Sequence, residues 1–172
     1  MKEKRINEGT ESPLFLYQKM FRETVEKLLA DGLKKREDLF LIDLTISNDN
    51  SIKVIIDGDR GVTVDDCVFV SRAIEHNLDR EEQDFSLEVA SAGAAAPLVN
   101  QRQYVKNLGR NLEVLTNDGK VEGTLEHAND DGITLKWKAR EPKPVGKGKV
   151  TVQKQAEIAY GDIVEAKVMI KF

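Results

Sequence analysis

The most concentrated chemical signal in the sequence is a basic segment between positions 136 and 154. It holds seven lysines and arginines against a single acid, Glu141. Lysine and arginine bind phosphate oxygens, and such contacts give affinity for nucleic acid with little choice of sequence. A charged loop that only keeps the protein soluble would have the same composition, so both interpretations stand. The candidate RNA-binding residues are Lys136, Lys138, Arg140, Lys143, Lys147 and Lys149.

Trp137 lies within this segment but out of phase with its lysines. Alternation along a strand places Lys136 and Lys138 on the solvent face and Trp137 on the opposite face. We therefore expect Trp137 to pack into a core rather than to stack on bases. The prolines and glycines that follow predict a loop over residues 139–148, which carries the remaining cations outward.

A second candidate site is a group of aspartates at positions 57, 59, 65 and 66. They lack the regular oxygen-donor spacing and the terminal glutamate of a calcium loop. Helix capping and turn formation explain most of them without an ion, and a contact surface for a basic partner is the remaining interpretation. Close by, Phe69 is predicted to lie off the apolar stripe of its helix, beside Arg72. An exposed ring next to a cation can anchor a partner, although a ring tucked against a loop is the commoner arrangement. The candidate protein-binding residues are Asp57, Asp59, Asp65, Phe69 and Arg72.

The sequence contains no common catalytic motif. Its two histidines, His76 and His127, form no recognisable nucleophile pattern with Cys67, and no CxxC, HExxH, P-loop or GxGxxG occurs. Cys67 is the only cysteine, so an internal disulfide is impossible, and we expect it to pack as a small hydrophobic residue. The sequence therefore predicts a binding protein that is not an enzyme and that uses neither a cofactor nor a metal.

The charge of the chain changes sign near residue 98. Residues 1–98 carry 13 Lys and Arg against 20 Asp and Glu, a net charge of −7, whereas residues 99–172 carry 13 against 10, a net charge of +3. With an overall pI near 5.4, any binding to nucleic acid must come from a local patch. An acidic half joined to a basic half suggests two different partners.

The change of charge coincides with a predicted domain boundary. The segment SAGAAA offers almost nothing to bury and is followed by a proline, which is typical of a linker. The prediction is an acidic α/β domain at residues 1–92 and a second domain at residues 97–172. Between them we expect a hinge at Ser91, Gly93 and Pro97.

In the first domain the pattern predicts the order α-β-β-α-β. Ser12 and Pro13 are a helix start, and Gly32 is the expected stop. Thr63 begins the second helix as its N-cap, with Asp66 at the capping-box position. The predicted apolar positions are Leu14, Tyr17, Phe21, Val25 and Leu28 in the first helix and Val64, Cys67, Val68, Ser71, Ile74 and Leu78 in the second. The predicted strands are residues 39–46, 52–57 and 85–90.

In the second domain a short helix near residues 101–108 is followed by five short strands within about 60 residues. Turn residues separate the strands, and the last strand is predicted to place Ala166, Val168, Ile170 and Phe172 on one face. Short strands with regular turns predict a small closed barrel.

No apolar run approaches the roughly 20 residues that span a bilayer, and the first residues lack the apolar stretch of a secretory signal. We therefore expect a cytoplasmic protein. We also expect it to be a monomer.

The segment GVTVDDCVFVSRAIEHNLD, then FSLEVASAG, and the final IVEAKVMIKF resemble the ribosome maturation factor RimP family of bacteria. The resemblance runs from about residue 39 to the end of the chain. It implies an α+β protein, in which an N-terminal α-β-β-α-β domain precedes a small SH3-like all-β barrel. It also implies a non-enzymatic factor for maturation of the small (30S) ribosomal subunit. The implied partners are the subunit precursor, ribosomal RNA and a basic small-subunit ribosomal protein.

The hinge departs from the family pattern. The family usually reads close to SSPGLDRPL there, and this chain keeps Ser91, Gly93, Pro97 and Leu98 but has alanine at positions 94–96. The aspartate and arginine of the family pattern are replaced by alanine in this chain, so the contacts of those two side chains cannot form at the hinge. A second function class also stays open, a protein-only adaptor whose basic loop is merely solubilising.

Overall fold

A computed structural model of the chain describes residues 12–170. Its backbone contacts divide the chain into two compact units, Met1–Ser91 and Ala92–Phe172. The whole is an α+β protein, with a mixed α/β first unit and a second unit built on an antiparallel sheet. Within the described residues no helix is both long and apolar enough to cross a membrane.

The first unit has the predicted order of elements. They are α1 (Pro13–Lys34), β1 (Leu39–Ile46), β2 (Ser51–Gly58), α2 (Val64–Glu75) and β3 (Ser86–Ser91). The sheet has the order β1-β2-β3, in which β2 is antiparallel to β1 and parallel to β3. Alternate residues of β2, Ile52, Val54 and Ile56, are at most 2% exposed and pack with apolar residues of both helices.

Helix α1 begins as predicted but does not end at Gly32. The Ser12 hydroxyl accepts a hydrogen bond from the Phe15 amide at 3.1 Å, and the helix continues two residues beyond Gly32. Gly32 is buried, and a Cβ at this position would lie 2.8 Å from Ala73 Cβ. The glycine therefore permits close packing of α1 on α2 rather than helix termination.

The first turns of α1 are more exposed than the apolar pattern predicts. Leu14 is 66% exposed and Tyr17 is 39% exposed, whereas Phe21 and Val25 are buried. The predicted stripe is continuous along the helix, but in the first unit only its later turns are covered.

Helix α2 has the predicted cap and a different buried face. Thr63 and Asp66 form the reciprocal capping box. Val64 and Val68, predicted to be in the core, are 79% and 38% exposed. Ile74 is buried as predicted, and Cys67 and Leu78 pack against the core. The other buried residues are Val70 and Asp66, one and two helical turns before Ile74, so the covered face is shifted from the predicted stripe and only partly coincides with it.

The second unit contains α3 (Gln101–Lys106), β4 (Asn111–Thr116), β5 (Gly119–Ala128), β6 (Gly132–Pro142), β7 (Lys149–Ala159), a 3₁₀ turn (Tyr160–Asp162) and β8 (Ile163–Val168). The strands form one antiparallel sheet in the order β7-β6-β5-β4-β8. Among the described residues β7 and β8 do not pair with each other, so closure into an SH3-like barrel is not confirmed.

The last strand is shorter than predicted. Ala166 and Val168 are buried as expected, but Ile170 lies beyond β8 and is 45% exposed. Phe172, which the alternation also placed in the core, lies outside the described residues. The core of this unit is formed by residues such as Leu112, Leu125 and Leu135, all fully buried.

Candidate nucleic-acid and protein interfaces

The predicted basic loop is mostly a β-hairpin. Strand β6 pairs with β5 only as far as Lys136, but it pairs with β7 along its whole length, from Gly132↔Ala159 to Pro142↔Lys149. Residues 136–154 thus form a two-stranded extension of the sheet, called here the basic arm. The predicted loop over residues 139–148 is confirmed only for residues 143–148, because residues 139–142 belong to β6, which Pro142 ends.

A short turn closes the arm. The Lys143 amide donates to the Gly148 carbonyl at 3.1 Å, and Gly146 and Gly148 adopt positive φ angles of 88° and 100°. Glycine adopts positive φ angles more readily than other residues because it has no Cβ. The tip is therefore formed by residues 143–148 only.

The six candidate RNA-binding cations are distributed along this arm. Lys138 and Arg140 are exposed on one face of β6, and Lys136 on the same face is half-buried. The three remaining lysines, Lys143, Lys147 and Lys149, are exposed at or next to the tip. None of the six forms an ion pair within residues 12–170, whereas Lys154 pairs with Glu141.

Trp137 faces away from these cations. It is half-buried, packs against the core of the second unit, and has its Cε3 atom 3.3 Å from where a Cβ of Gly123 would lie. Its position agrees with the packing role that its strand phase predicts. It anchors the base of the arm, and its ring is partly covered by the core of the second unit.

The candidate protein-binding residues fall into two groups. Asp57 is only 7% exposed, and its Oδ1 accepts a hydrogen bond from the Gly58 amide at 2.8 Å. Its predicted role as a surface contact is therefore corrected. Asp59 and Asp65 are exposed, as a contact surface requires.

The other members, Phe69 and Arg72, line one groove together with Asp65. The groove has a volume of about 490 Å³ and lies between the last turns of α1 and one face of α2. Phe69 is half-buried and packs against the core, so it is less exposed than its predicted place off the stripe suggested. The groove is lined by Gly32, Lys35, Asp65, Val68, Phe69, Arg72, Ala73, His76 and Asn77.

An ion-pair network that the sequence did not predict supports this groove. Arg36 donates two hydrogen bonds to Asp38, each at 3.0 Å, and one to Asp66 Oδ1 at 2.8 Å. The other Asp66 oxygen accepts from the Thr63 amide at 2.9 Å. The Arg36 guanidinium also lies 5.8 Å from the centroid of the Phe69 ring. No local spacing signals this network, because Arg36 and Asp66 are 30 residues apart in sequence.

The same contacts shift the acidity of the network. The Thr63 amide, followed by the Arg36 guanidinium, lowers the pKa of Asp66 below its usual range. The bond from Arg36 likewise lowers the pKa of Asp38. Next along the helix, Cys67 is half-buried, and burial followed by the charge of Asp66 raises the pKa of its thiol. A thiol with a raised pKa has less of the reactive thiolate form, which fits a structural role for Cys67 beside the hydrogen-bonded Asp66 carboxylate.

Among residues 12–170 no group of three or more His, Cys, Asp or Glu side chains has the geometry to hold a metal ion. Two of the four aspartates that the sequence analysis considered, Asp65 and Asp66, lie at the start of α2. The carboxylate of Asp66 is already hydrogen-bonded in the capping box and to Arg36.

The candidate hinge residues span the connection between the units. Ser91 is the last residue of β3, and a turn follows in which the Ala96 amide donates to the Gly93 carbonyl at 3.0 Å. Pro97 is exposed, and the next residue is held to the second unit by a bond from the Leu98 amide to the Ala166 carbonyl at 2.8 Å. Their role as a hinge stays a prediction.

Comparison with known proteins gives consistent matches. The RimP N-terminal domain family matches residues 29–95. The chain is 59% identical over 153 residues to the ribosome maturation factor RimP of Christiangramia forsetii, which covers 89% of this chain and 100% of that protein. It is 51% identical over 152 residues to the protein of the same name from Flavobacterium psychrophilum, covering 88% and 99%. The Porphyromonas gingivalis protein of that name is 36% identical over 147 residues, covering 84% and 95%.

Proposed function

Because this chain belongs to the RimP family of ribosome maturation factors, we propose that it assists maturation of the small (30S) ribosomal subunit. In this role it binds ribosomal RNA and a basic small-subunit ribosomal protein, and it catalyses no reaction. Its partner would be a subunit precursor, and the protein would accordingly act in the cytoplasm.

The basic arm is the observation that supports RNA binding. Six cations lie along one hairpin, five of them are exposed, and none is neutralised by a carboxylate within residues 12–170. Each cation that neutralises a phosphate releases counterions, which makes affinity fall with salt. Contacts of this kind position a protein on RNA without reading its sequence.

Changing Lys143, Lys147 and Lys149 together to glutamine should weaken binding to precursor subunits about equally across RNA sequences. The slope of log affinity against log salt should flatten by a little under one unit for each phosphate that the arm no longer neutralises. Binding of precursor 30S particles at several salt concentrations measures this. The matched control changes Lys19, Lys27 and Lys53 to glutamine, three exposed lysines of the first unit.

An unaltered salt slope in the arm variant, with normal binding, would reject RNA contact by the arm. The protein-only adaptor would then be the better account. Circular dichroism of both variants shows whether either change disturbs the fold.

The first unit is the proposed protein-binding half, since its net charge would attract a basic ribosomal protein. Charge steering acts mainly on the association rate and is weakened by salt. Reversing Asp59 and Asp65 to lysine should slow capture of the basic protein at low salt, as stopped-flow association would measure. Asp57 is left unchanged because it is buried, and Asp66 because it caps α2.

In the matched control, Glu23 and Glu82, two exposed acids elsewhere in the first unit, are changed to lysine. The net charge of this control changes by the same amount as that of the Asp59 and Asp65 variant. If both double variants slow association to the same degree, only the overall charge matters and the Asp59–Asp65 surface is not the contact. An unchanged rate in the Asp59 and Asp65 variant would count against the surface altogether.

A further inference from the structure

The groove between α1 and α2 has an apolar floor that is partly exposed in the part of the first unit that the structure describes. Val68 is 38% exposed, and Phe69 and Ala73 beside it are half-buried. The close approach of Gly32 to Ala73 brings the two helices together and forms the bottom of the groove. The space of about 490 Å³ is enough for a few apolar side chains of another molecule.

The charged side chains that line this groove form no ion pair with any residue between positions 12 and 170. Arg22, Arg36 and Arg80 each hold a carboxylate at 2.8–3.0 Å. Arg72 has no ion-pair partner within residues 12–170, although acids outnumber bases in this half of the chain. Lys35 and His76 share the rim with it, and Asp65 is the one acid of the lining.

We propose that this groove is a docking site for an amphipathic helix of a protein partner, with acidic side chains beside its apolar ridge. The ridge covers Val68, Phe69 and Ala73, and an acidic side chain pairs with Arg72. A helix laid in a groove by its apolar face is a common mode of recognition, and the charge at the rim selects the partner. Such a segment differs in charge from the basic surface that Asp59 would attract, so the site adds a second kind of contact to the proposed function.

A single-stranded nucleic acid is the less suitable occupant. Stacking of bases needs an exposed aromatic face, and Phe69, the one Phe, Tyr or Trp of the lining, is half-buried with Arg36 over its ring, which leaves only the imidazole of His76 at the rim. The apolar floor fits aliphatic side chains better than nucleotides.

The test is titration of the ¹⁵N-labelled full chain with a synthetic helical peptide that carries leucines at positions i, i+3, i+4 and i+7 and glutamates beside them. Amide shifts should concentrate at residues 32–35 and 65–77. Arg72→Glu should weaken binding at least tenfold, and a peptide with lysine in place of glutamate should bind that variant better than it binds the original chain. Lys27→Glu is the matched control, since Lys27 is exposed on α1 and does not line the groove, and it should change affinity less than twofold.

A second variant, Val68→Asn, removes apolar floor at a partly exposed position and should also weaken binding. Equal affinity of the original chain for the glutamate and lysine peptides, shifts outside the groove, or groove shifts caused by an oligouridylate instead of the peptide would each overturn the proposal. These outcomes are independent of RNA retention by the arm, and of Asp59, which does not line the groove. Failure here therefore leaves RNA binding by the arm and charge steering by Asp59 intact.

Discussion

At the scale of single residues, Asp66 joins three parts of the first unit. One oxygen accepts from the Thr63 amide and caps α2, and the other accepts from Arg36 in the connection between α1 and β1. Arg36 in turn holds Asp38 and lies over Phe69. Asp66 as a residue is 8% exposed, and its carboxylate, hydrogen-bonded through both oxygens, fixes the start of the helix that carries the groove.

Asp66→Asn should lower the free energy of unfolding by about 1–2 kcal/mol at pH 7, because it removes a charged cap and an ion pair. The folded state lowers the pKa of Asp66, so its stabilisation is fully present above the unfolded value near 4. It is lost as pH falls through the lower folded value. The difference between the variant and the original chain should therefore shrink from pH 7 to pH 3, as urea unfolding at the two pH values would measure.

Asp65→Asn is the control for this change, since Asp65 is exposed in the same helical turn and is not part of the capping box. A difference for Asp66→Asn that stays constant down to pH 3 would show that the carboxylate charge does not contribute.

At the scale of elements, the packing of α1 on α2 depends on one small residue in each helix. Gly32 is inside a helix, where alanine normally stabilises by about 1 kcal/mol. Here the new Cβ would lie 2.8 Å from Ala73 Cβ, closer than such atoms approach. The helices would have to move apart, and the groove would change shape with them.

Gly32→Ala should therefore destabilise the chain in spite of its helix propensity, and the double change Gly32→Ala with Ala73→Gly should recover most of the loss. Thermal unfolding of the two single variants and the double variant measures the coupling. Additive effects of the two changes would mean that the close contact does not limit the packing.

At the scale of the whole molecule, each unit has its own core. One cluster draws its buried residues from Phe21 to Phe85, and the other from Tyr104 to Val168. The connection carries alanine and glycine, which contribute little to either cluster.

A fragment of residues 92–172 should therefore unfold cooperatively by itself. Elastase, which cuts after small residues, should first cleave the full chain within residues 92–96, since exposed small-residue segments are preferred sites of proteolysis. Mass spectrometry of the first products and urea unfolding of the fragment test the two expectations. Non-cooperative unfolding of the fragment would show that it needs the first unit to fold.

The sequence by itself determined the features that depend on neighbours along the chain. The caps at Ser12 and Thr63, the order of helices and strands, and the inward phase of Trp137 follow from local hydrogen bonds and periodicity. The excess of lysine and arginine over residues 136–149 was also visible in the amino-acid composition of that segment. The sequence could not show whether they lie on a loop or a hairpin, because proline and glycine are compatible with both.

Only the tertiary structure decided which faces are buried and which distant residues meet. Leu14 and Val64 match an apolar pattern but are exposed, because burial of a helix face depends on what covers it. Asp57 and Asp59 look alike in sequence, yet one is buried and the other exposed. The bond between Arg36 and Asp66, and the groove it supports, require residues 30 positions apart to come within 2.8 Å. Periodicity carries no information about such long-range contacts, since they form only when the helices pack on the sheet.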